Sequence, residues 1–511
     1  MDSSLIAKIL AFVLYLGFMV YIGLRYAGSN SSATDFFLGG RKVGPWMTAL
    51  SAEASDMSGW LLMGLPGLAY LGGIREAFWT ALGLILGTYL NWLFVAKPLR
   101  KCTIAFGNAI TIPEFLTNRL KDKTHILSIV SVVFIILFFT IYTASGFVAC
   151  AKLFNSVFGI DYHKGLIIGL VVILSYTILG GYLAVCTTDF VQGTLMFIAL
   201  IVVGSVMTIS LGGPAEAVAK VSEFSARAMS GEFTDAMKDA FSNNQNYSFM
   251  NIVSALAWGL GYFGMPHIIV RFMGIESNAA VKISRRIATV WVIVAFVGAV
   301  LAGAFGSAFL FDKIDGGVLA SSETVVSAAI QEIFSKNAAF VFVGAIFLCA
   351  ILAAAMSTAD SQLLVASSAF SRDIYKGLVS KDASEKTVLN VSRVTVFVIA
   401  AIAFVLSLNP KSSIFKLVSY AWAGFGATFG PLILLSLFWR SLTALGAICG
   451  LIGGGVAVVL WRHLDGGIFN IYEILPGFVI CGALAIIVSL FDKNKDESVF
   501  AAFDEYRKMP D

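Results

Sequence analysis

The sequence predicts an all-α polytopic membrane protein of about thirteen transmembrane helices, and three observations carry that expectation. Hydrophobic residues make up 58% of the 511 positions and charged residues only 13%, where a soluble domain carries about 25% charged residues. The mean hydropathy is +0.86, and the apolar residues are gathered in runs of the ~20 residues that a helix needs to cross a bilayer. At roughly 35 to 40 residues per helix plus loop, the length allows about twelve to fourteen spans. The net charge of +4 is small and spread through the loops, which gives no footprint for nucleic acid.

Taken in order, the apolar runs place spans at about 5–26, 45–70, 77–98, 126–152, 164–182, 188–212, 247–271, 285–311, 338–369, 391–409, 413–438, 442–462 and 471–491. The first run lacks a basic leader and a small-residue cleavage site, so it reads as a retained span. An odd number of spans puts the termini on opposite sides. With the N-terminus outside, the majority of the 35 Lys and Arg fall on the inside, so the positive-inside rule favours N-terminus out and C-terminus in. The polar stretch 213–248 then becomes an external loop with a short helix. The segment 371–387 becomes a solvated cytoplasmic connector, and the tail from Asp492 is expected to be frayed and solvated. The six cysteines are isolated, without CxxC or Cys/His spacing, so neither a metal site nor a disulfide framework is expected.

Two spans are polar and interrupted. The second carries Asp56 among Ser51, Ser55, Ser58, Gly59, Gly64, Pro66 and Gly67. An ionised group at membrane depth is costly unless paired, so an intramembrane acid is a functional candidate by default. Serine and glycine around it favour an unwound segment whose free carbonyls face a cation in place of water. The bland alternative is a kinked helix with a buried, hydrogen-bonded Asp. The seventh span carries AWGLGYFGMPH at 257–267. These two spans lie five apart, and an odd offset orients them oppositely, as an inverted repeat of five plus five helices requires. Paired interruptions of this kind point to a transporter's binding site.

In the ninth span, ILAAAMSTADSQLL at 351–364 offers the hydroxyls of Ser357 and Thr358, with three alanines at 353–355 allowing close approach of a neighbour. Hard oxygen ligands suit Na⁺. A helix-packing face with back-bonded hydroxyls explains the same stretch equally well. Asp360 reads as a buried structural partner before an ion or proton station. Asp189 is such a station, a buried partner for a basic residue, or a helix N-cap. Trp60, Tyr142, Trp258, Tyr262 and Phe263 could wall a compact ligand. At helical spacing Trp258 and Tyr262 share a face, and free N–H groups near Gly64 or Gly261 could take a carboxylate. Arg41, in LGGR, reads as an interfacial anchor or gate partner. No P-loop, HExxH or nucleophile elbow is present, so no enzymatic activity is expected.

SDMSGWLLMGLPG, LFFTIYTASG, AWGLGYFGMPHI, RFM, ILAAAMST and LVSYAWAGFGATFGP, within a stretch from about Phe36 to Phe491, resemble the sodium/solute symporter family, and within it the branch that carries L-proline. The resemblance implies a LeuT-type core of two inverted five-helix repeats. The chain would then divide into an extra helix and loop (1–43), the first repeat (44–212), an external loop (213–246), the second repeat (247–440), two C-terminal helices (441–491) and a cytoplasmic tail (492–511). It places Na⁺ on the carbonyls of Ala54, Met57 and Ala354 and the hydroxyls of Ser357 and Thr358. It assigns substrate contacts to Trp60, Gly64, Tyr142, Trp258, Tyr262 and Pro266. Asp56 would shape the site, and Ser58, Gly59, Arg41, Asp189 and Asp360 would be functionally important. Glu53 and Asp360 depart from the pattern, standing where some relatives carry Gly and an apolar residue. The implied activity is Na⁺-coupled import of L-proline across a bacterial inner or plasma membrane by alternating access. Na⁺ would be the co-transported ion, with no organic cofactor and no obligate protein partner. A symporter of another amino acid, pantothenate or sialate would share the Na⁺ site but change the aromatic wall. A channel or sensor would need a continuous pore or a signalling domain.

Overall fold

The computed structural model describes residues 3–27, 33–314, 317–493 and 495–509. Helices stand at all thirteen expected positions, and among the described residues there is no β-strand. Among the described residues ten of these helices are long and apolar enough to cross a membrane, and the bent pair Phe249–Phe263 and Pro266–Gly274, 43° apart, makes eleven when taken as one span. The remaining two positions are helical but fail on apolarity or length. The second span is too polar around Asp56, and the fifth is a short apolar helix that runs into the sixth through Gly181. At that join Gly181 has φ +64°, a conformation glycine adopts without strain, so the chain reverses there without a loop.

The direction of the two interrupted spans can be read from their ends. Val43, just before the second span, forms a parallel bridge with Ile275, just after the seventh. Its N–H donates to the Gly274 carbonyl, and the Glu276 N–H donates to its own carbonyl. At the opposite end, Asn244, a few residues before the seventh span begins, donates its side-chain amide to the carbonyl of Gly72, which ends the second. The start of one span therefore lies beside the end of the other, and the two run antiparallel, as the five-helix offset requires. Both are broken near their middles. Helix Pro45–Gly59 is interrupted at Ser58 (φ +42°, ψ −173°) and continues through a wide π turn, Trp60–Gly64, into Leu65–Gly72. In the seventh, Phe249–Leu256 tightens into the 3₁₀ segment Ala257–Phe263, passes through extended Met265 and resumes at Pro266.

Three connecting regions depart from expectation. The 213–246 loop holds two helices, Pro214–Met229 and Asp235–Gln245, rather than one short one. Apolar residues at helical spacing, Ala217, Phe224 and Ala228, give the first a buried face. The ninth span does not end near 369 but extends as a wide helix, Ala369–Val379, into the expected connector. The tail is not frayed. Helix Glu497–Lys508, capped by Asp496, buries Val499, Phe500, Phe503 and Tyr506 against the bundle, an apolar spacing hidden in the sequence by its charged neighbours.

Candidate functional site

The site is built on the break at Ser58. A helix leaves the carbonyls of its last turn without intrahelical donors, and here three spans supply side chains to them. Ser357 Oγ donates to the Ala54 carbonyl at 2.8 Å. His267 Nε2 lies 3.2 Å from the Ser55 carbonyl, which fixes the proton on that nitrogen. Tyr142 OH donates to the Asp56 carbonyl at 3.2 Å. A non-glycine residue at positive φ is strained and persists only where the surroundings enforce it. Ser58 is held by its own hydroxyl, which accepts the Trp60 N–H at 3.1 Å, while the Met57 carbonyl takes the same N–H. Gly59 faces Ala149 so closely that a Cβ would stand 2.7 Å from its methyl, so the fourth span seats directly on the break.

The Asp56 side chain points the other way along the break, where Tyr262 OH donates to it at 2.5 Å. Both groups are buried. Trp60, next to the break, is buried with its indole N–H unpartnered, and Gly64 lies beneath its ring, where a Cβ would be 3.0 Å from Cδ1. The Trp60 ring packs on Trp258 (5.4 Å between centroids) and Phe415 (6.4 Å). Trp258 and Tyr262 do not share a face as α-helical spacing suggested. The segment winds with three residues per turn, so Tyr262 reaches Asp56 while Trp258 joins the aromatic layer with Trp60. Trp422, which the sequence did not single out, ties the two levels together. Its Nε1 donates to the Trp258 carbonyl at 2.7 Å and its ring packs edge-on to Tyr262. Pro266 opens the helix that carries His267.

Around Ser357 the oxygens converge. Its hydroxyl bridges the Ala54 carbonyl of the second span and, at 3.3 Å, the Ala354 carbonyl of its own. The hydroxyl of Thr358 is buried beside it with no hydrogen-bond partner. Two carbonyls, one satisfied hydroxyl and one unsatisfied hydroxyl make a neutral, hard-oxygen cluster, whose chemistry suits a monovalent cation. Among the described residues no group of three or more His, Cys, Asp or Glu side chains is placed to hold a metal.

A family model, the sodium:solute symporter family, matches residues 36–454. The sodium/proline symporter of Escherichia coli K12 is 43% identical over 97% of this chain and 95% of its own. The high-affinity proline transporter PutP of Bacillus subtilis strain 168 is 43% identical over 96% of this chain and 99% of its own. The chain belongs to the sodium:solute symporter family. A solved Na⁺-coupled sialic acid symporter, described as substrate-bound and outward-open with a novel Na⁺ site, superposes with a TM-score of 0.77 at 17% identity, covering 95% of this chain and 98% of that one. The fold of this symporter-family chain is thus the LeuT-type arrangement that the resemblance implied.

Below the break, the family chain carries a polar network that sequence reasoning saw only in part. Asp189 is no N-cap. It lies within the helix after Gly181, where Oδ2 accepts from Ser51 (2.6 Å), Ser55 (3.1 Å) and Arg271 (3.2 Å). Arg271 also donates to Ser361 at 2.5 Å and to the His267 carbonyl at 2.6 Å. Asp360 accepts from the neighbouring Ser361 hydroxyl at 3.2 Å, which places it at this network's edge. Two opposite charges in separate apolar spans were the signal that could have paired Asp189 with Arg271. Glu53 lies one turn before Asp56 and accepts from Trp92 Nε1 at 3.1 Å. Arg41 anchors the loop before the second span, donating to the carbonyls of Met273 (2.6 Å) and Ala109 (2.8 Å) and to Asn108 Oδ1 (3.0 Å). Burial, with Arg100 nearby, lowers its pKa to about 10, so it stays charged at neutral pH.

Proposed function

We propose that this chain is a secondary active transporter that couples the entry of Na⁺ to the import of L-proline by alternating access. It sits in a bacterial inner or plasma membrane with the N-terminus outside and the C-terminus in the cytoplasm. The observation that carries the reading is the meeting of Ser357 with the Ala54 carbonyl at the helix break, beside the unsatisfied Thr358 hydroxyl. Na⁺ is held there by the carbonyls of Ala54, Met57 and Ala354 and the hydroxyls of Ser357 and Thr358. The relatives named for proline transport support the substrate.

Binding Na⁺ between the second and ninth spans fixes the break, and the break positions Asp56, Tyr142 and Tyr262. Sodium therefore preorganises the neighbouring cavity without touching the substrate. Because coupling is reciprocal, proline raises Na⁺ affinity by the same factor. Trp60, with its indole donor unpaired, Gly64 and Trp258 offer the aromatic side of the proline site, and Pro266 places the helix that closes it. The N-terminal helix, the two inverted repeats with the 213–246 loop between them, and the C-terminal helices divide the chain as the sequence suggests. The network of Asp189 and Arg271 lies on the cytoplasmic side of the site and seals it there.

Radiolabelled L-proline uptake into proteoliposomes, with and without an inward Na⁺ gradient, tests this. Uptake driven by the gradient and lost in Ser357→Ala/Thr358→Ala is the expected result. Na⁺-driven uptake of another solute in place of proline removes the substrate and keeps the mechanism. Uptake of proline indifferent to the gradient overturns the coupling.

A further inference from the structure

Glu53 is a carboxylate at membrane depth that the transport site does not use. It is 2% exposed, and Oε1 accepts only from neutral donors of the third span, Trp92 Nε1 at 3.1 Å and the Thr88 hydroxyl at 3.4 Å. Oε2 is buried with no hydrogen-bond partner, and among the described residues Glu53 forms no ion pair. Asp189, buried as deeply, is matched by Arg271. An ionised acid in a span is costly without a countercharge. Asp56, a second acid one turn further along the same helix, adds repulsion between like charges.

The third span meets Glu53 with a polar face. Thr88, Asn91 and Trp92 stand at i, i+3 and i+4, so they share one side of that helix. Asn91 has no exposed surface, and neither Oδ1 nor Nδ2 has a partner. It opens a wide π turn, Asn91–Val95, an irregularity frequent at functional sites. One turn earlier, a Cβ on Gly87 would stand 2.3 Å from the Gly259 carbonyl, so this stretch of the third span also abuts the seventh. Buried polar groups without partners are rare, and each calls for a physical reason. A direct bond from Asn91 Nδ2 to Glu53 Oε2 would satisfy both groups, and that bond is not made. A bound cation accepts the oxygens instead. One carboxylate among the neutral oxygens of Thr88 and Asn91 balances a single positive charge, where a divalent ion would take several carboxylates.

We propose that a second Na⁺ binds between the second and third spans, held by Glu53 Oε2, Asn91 Oδ1 and Thr88 Oγ1. This site is distinct from the oxygen cluster at Ser357, because Glu53 turns to the third span while the Ala54 carbonyl meets the ninth. The proposal rests on the transport function proposed above and deepens it. Two cations then brace the broken span against different neighbours, and two Na⁺ accompany each proline.

The test counts radioactive Na⁺ bound to the purified full-length protein at saturating proline, in the wild type, Glu53→Gln and Ser357→Ala/Thr358→Ala. Glu53→Gln keeps the shape and an acceptor for Trp92 while removing the charge. Two Na⁺ per chain in the wild type, with a different one lost in each variant, is the expected result. One Na⁺ per chain, lost in Ser357→Ala/Thr358→Ala and unchanged in Glu53→Gln, overturns the second site and leaves the transport function standing. That is also what a Glu53 kept neutral by a proton would give. No saturable Na⁺ binding in any of the three overturns both readings together. Should Glu53→Gln fold poorly, Asn91→Ala keeps the carboxylate and removes one neutral ligand. It should weaken one of the two Na⁺ about tenfold, as loss of a contact to a charged group does, and leave the other unchanged. Wild-type affinity at both in Asn91→Ala overturns the site.

Discussion

Arg271 Nη2 lies 3.2 Å from Asp189 Oδ2, and neither side chain exposes more than 1% of its surface. With Ser51, Ser55 and Ser361 these two join the second, sixth, seventh and ninth spans beneath the helix break. A buried pair adds little net stability, because desolvation offsets most of the attraction, but removing one partner strands the other. Asp189→Ala should therefore destabilise the protein by about 3–5 kcal/mol, seen as a lower unfolding temperature in detergent. The paired change Asp189→Leu/Arg271→Met should regain most of that loss. A single variant as stable as the paired one would show that the charges are not coupled.

Tyr262 and Tyr142 both donate to Asp56, one to its carboxylate at 2.5 Å and one to its carbonyl at 3.2 Å. A bond to a charged acceptor contributes about 1.5–3 kcal/mol and a neutral one about 0.5–1.5 kcal/mol. Tyr262→Phe is therefore expected to weaken Na⁺-dependent proline binding about ten- to a hundredfold, and Tyr142→Phe less. Both are read from proline binding at varied Na⁺. The reverse order would mean that the Asp56 carboxylate is not what Tyr262 positions.

The break in the second span was legible because Asp56 in an apolar run, flanked by serine and glycine, contradicts both an ordinary helix and ordinary burial. The antiparallel partner was legible from the five-span offset. The sequence could not show which donors meet the freed carbonyls, since Ser357, His267 and Tyr142 lie more than eighty residues from their acceptors in the chain. Spacing also misled at Trp258 and Tyr262, because the 3.6-residue period fails where the helix tightens to three residues per turn. Trp422 escaped notice for a related reason. An aromatic in a buried helix reads as packing until its N–H is seen to hold the Trp258 carbonyl.

That bond makes Gly261 a sensitive position. A Cβ there would stand 2.0 Å from Trp422 Nε1, so Gly261→Ala must push the indole off its acceptor. Overpacking of this kind costs about 1–3 kcal/mol, with the lost hydrogen bond in addition. Proline affinity and thermal stability should fall together in Gly261→Ala. The smaller change Trp422→Phe keeps the ring and removes only the donor, so it should retain more of the stability while still loosening the aromatic layer. A Gly261→Ala protein with wild-type affinity and melting would contradict the close approach.

Glu323 joins three elements. Oε2 pairs with Lys152 at 2.5 Å, while Oε1 accepts from Ser413 Oγ at 3.0 Å and from the Phe415 N–H at 3.3 Å. Phe415 belongs to the layer over Trp60, so this carboxylate holds the closed position of that layer. Glu323→Gln keeps the shape and removes the charge. It should favour the open layer, lowering the maximal uptake rate about fivefold while leaving the half-saturating external proline unchanged or lower. Uptake kinetics in proteoliposomes read the two parameters separately. A raised half-saturation at an unchanged maximal rate would place Glu323 in ligand binding instead of closure.

The C-terminal helix makes a claim on stability that its charged composition conceals. The Phe503 ring lies 4.4 Å from the guanidinium of Arg119, a side chain with no exposed surface that also lies over the Phe106 ring at 5.4 Å and donates to the carbonyls of Ser436 and Trp439. Burial lowers the Arg119 pKa to about 10, so it remains a cation at neutral pH and depends on what covers it. Phe503→Ala removes the ring, opens a cavity and lets water reach Arg119. Full burial of a Phe sets a cost of about 3–5 kcal/mol for that truncation. The helix lies at the edge of the bundle and can shift to refill part of the space, so about 2–3 kcal/mol is expected here. The loss should appear as a lower unfolding temperature and faster proteolysis of the tail, with Na⁺-driven uptake per folded molecule unchanged. Phe503→Leu, which keeps an apolar cover over Arg119, should recover most of the stability. If Phe503→Ala melts like the wild type, the packing of this helix contributes nothing and the tail behaves as the solvated segment its composition suggested.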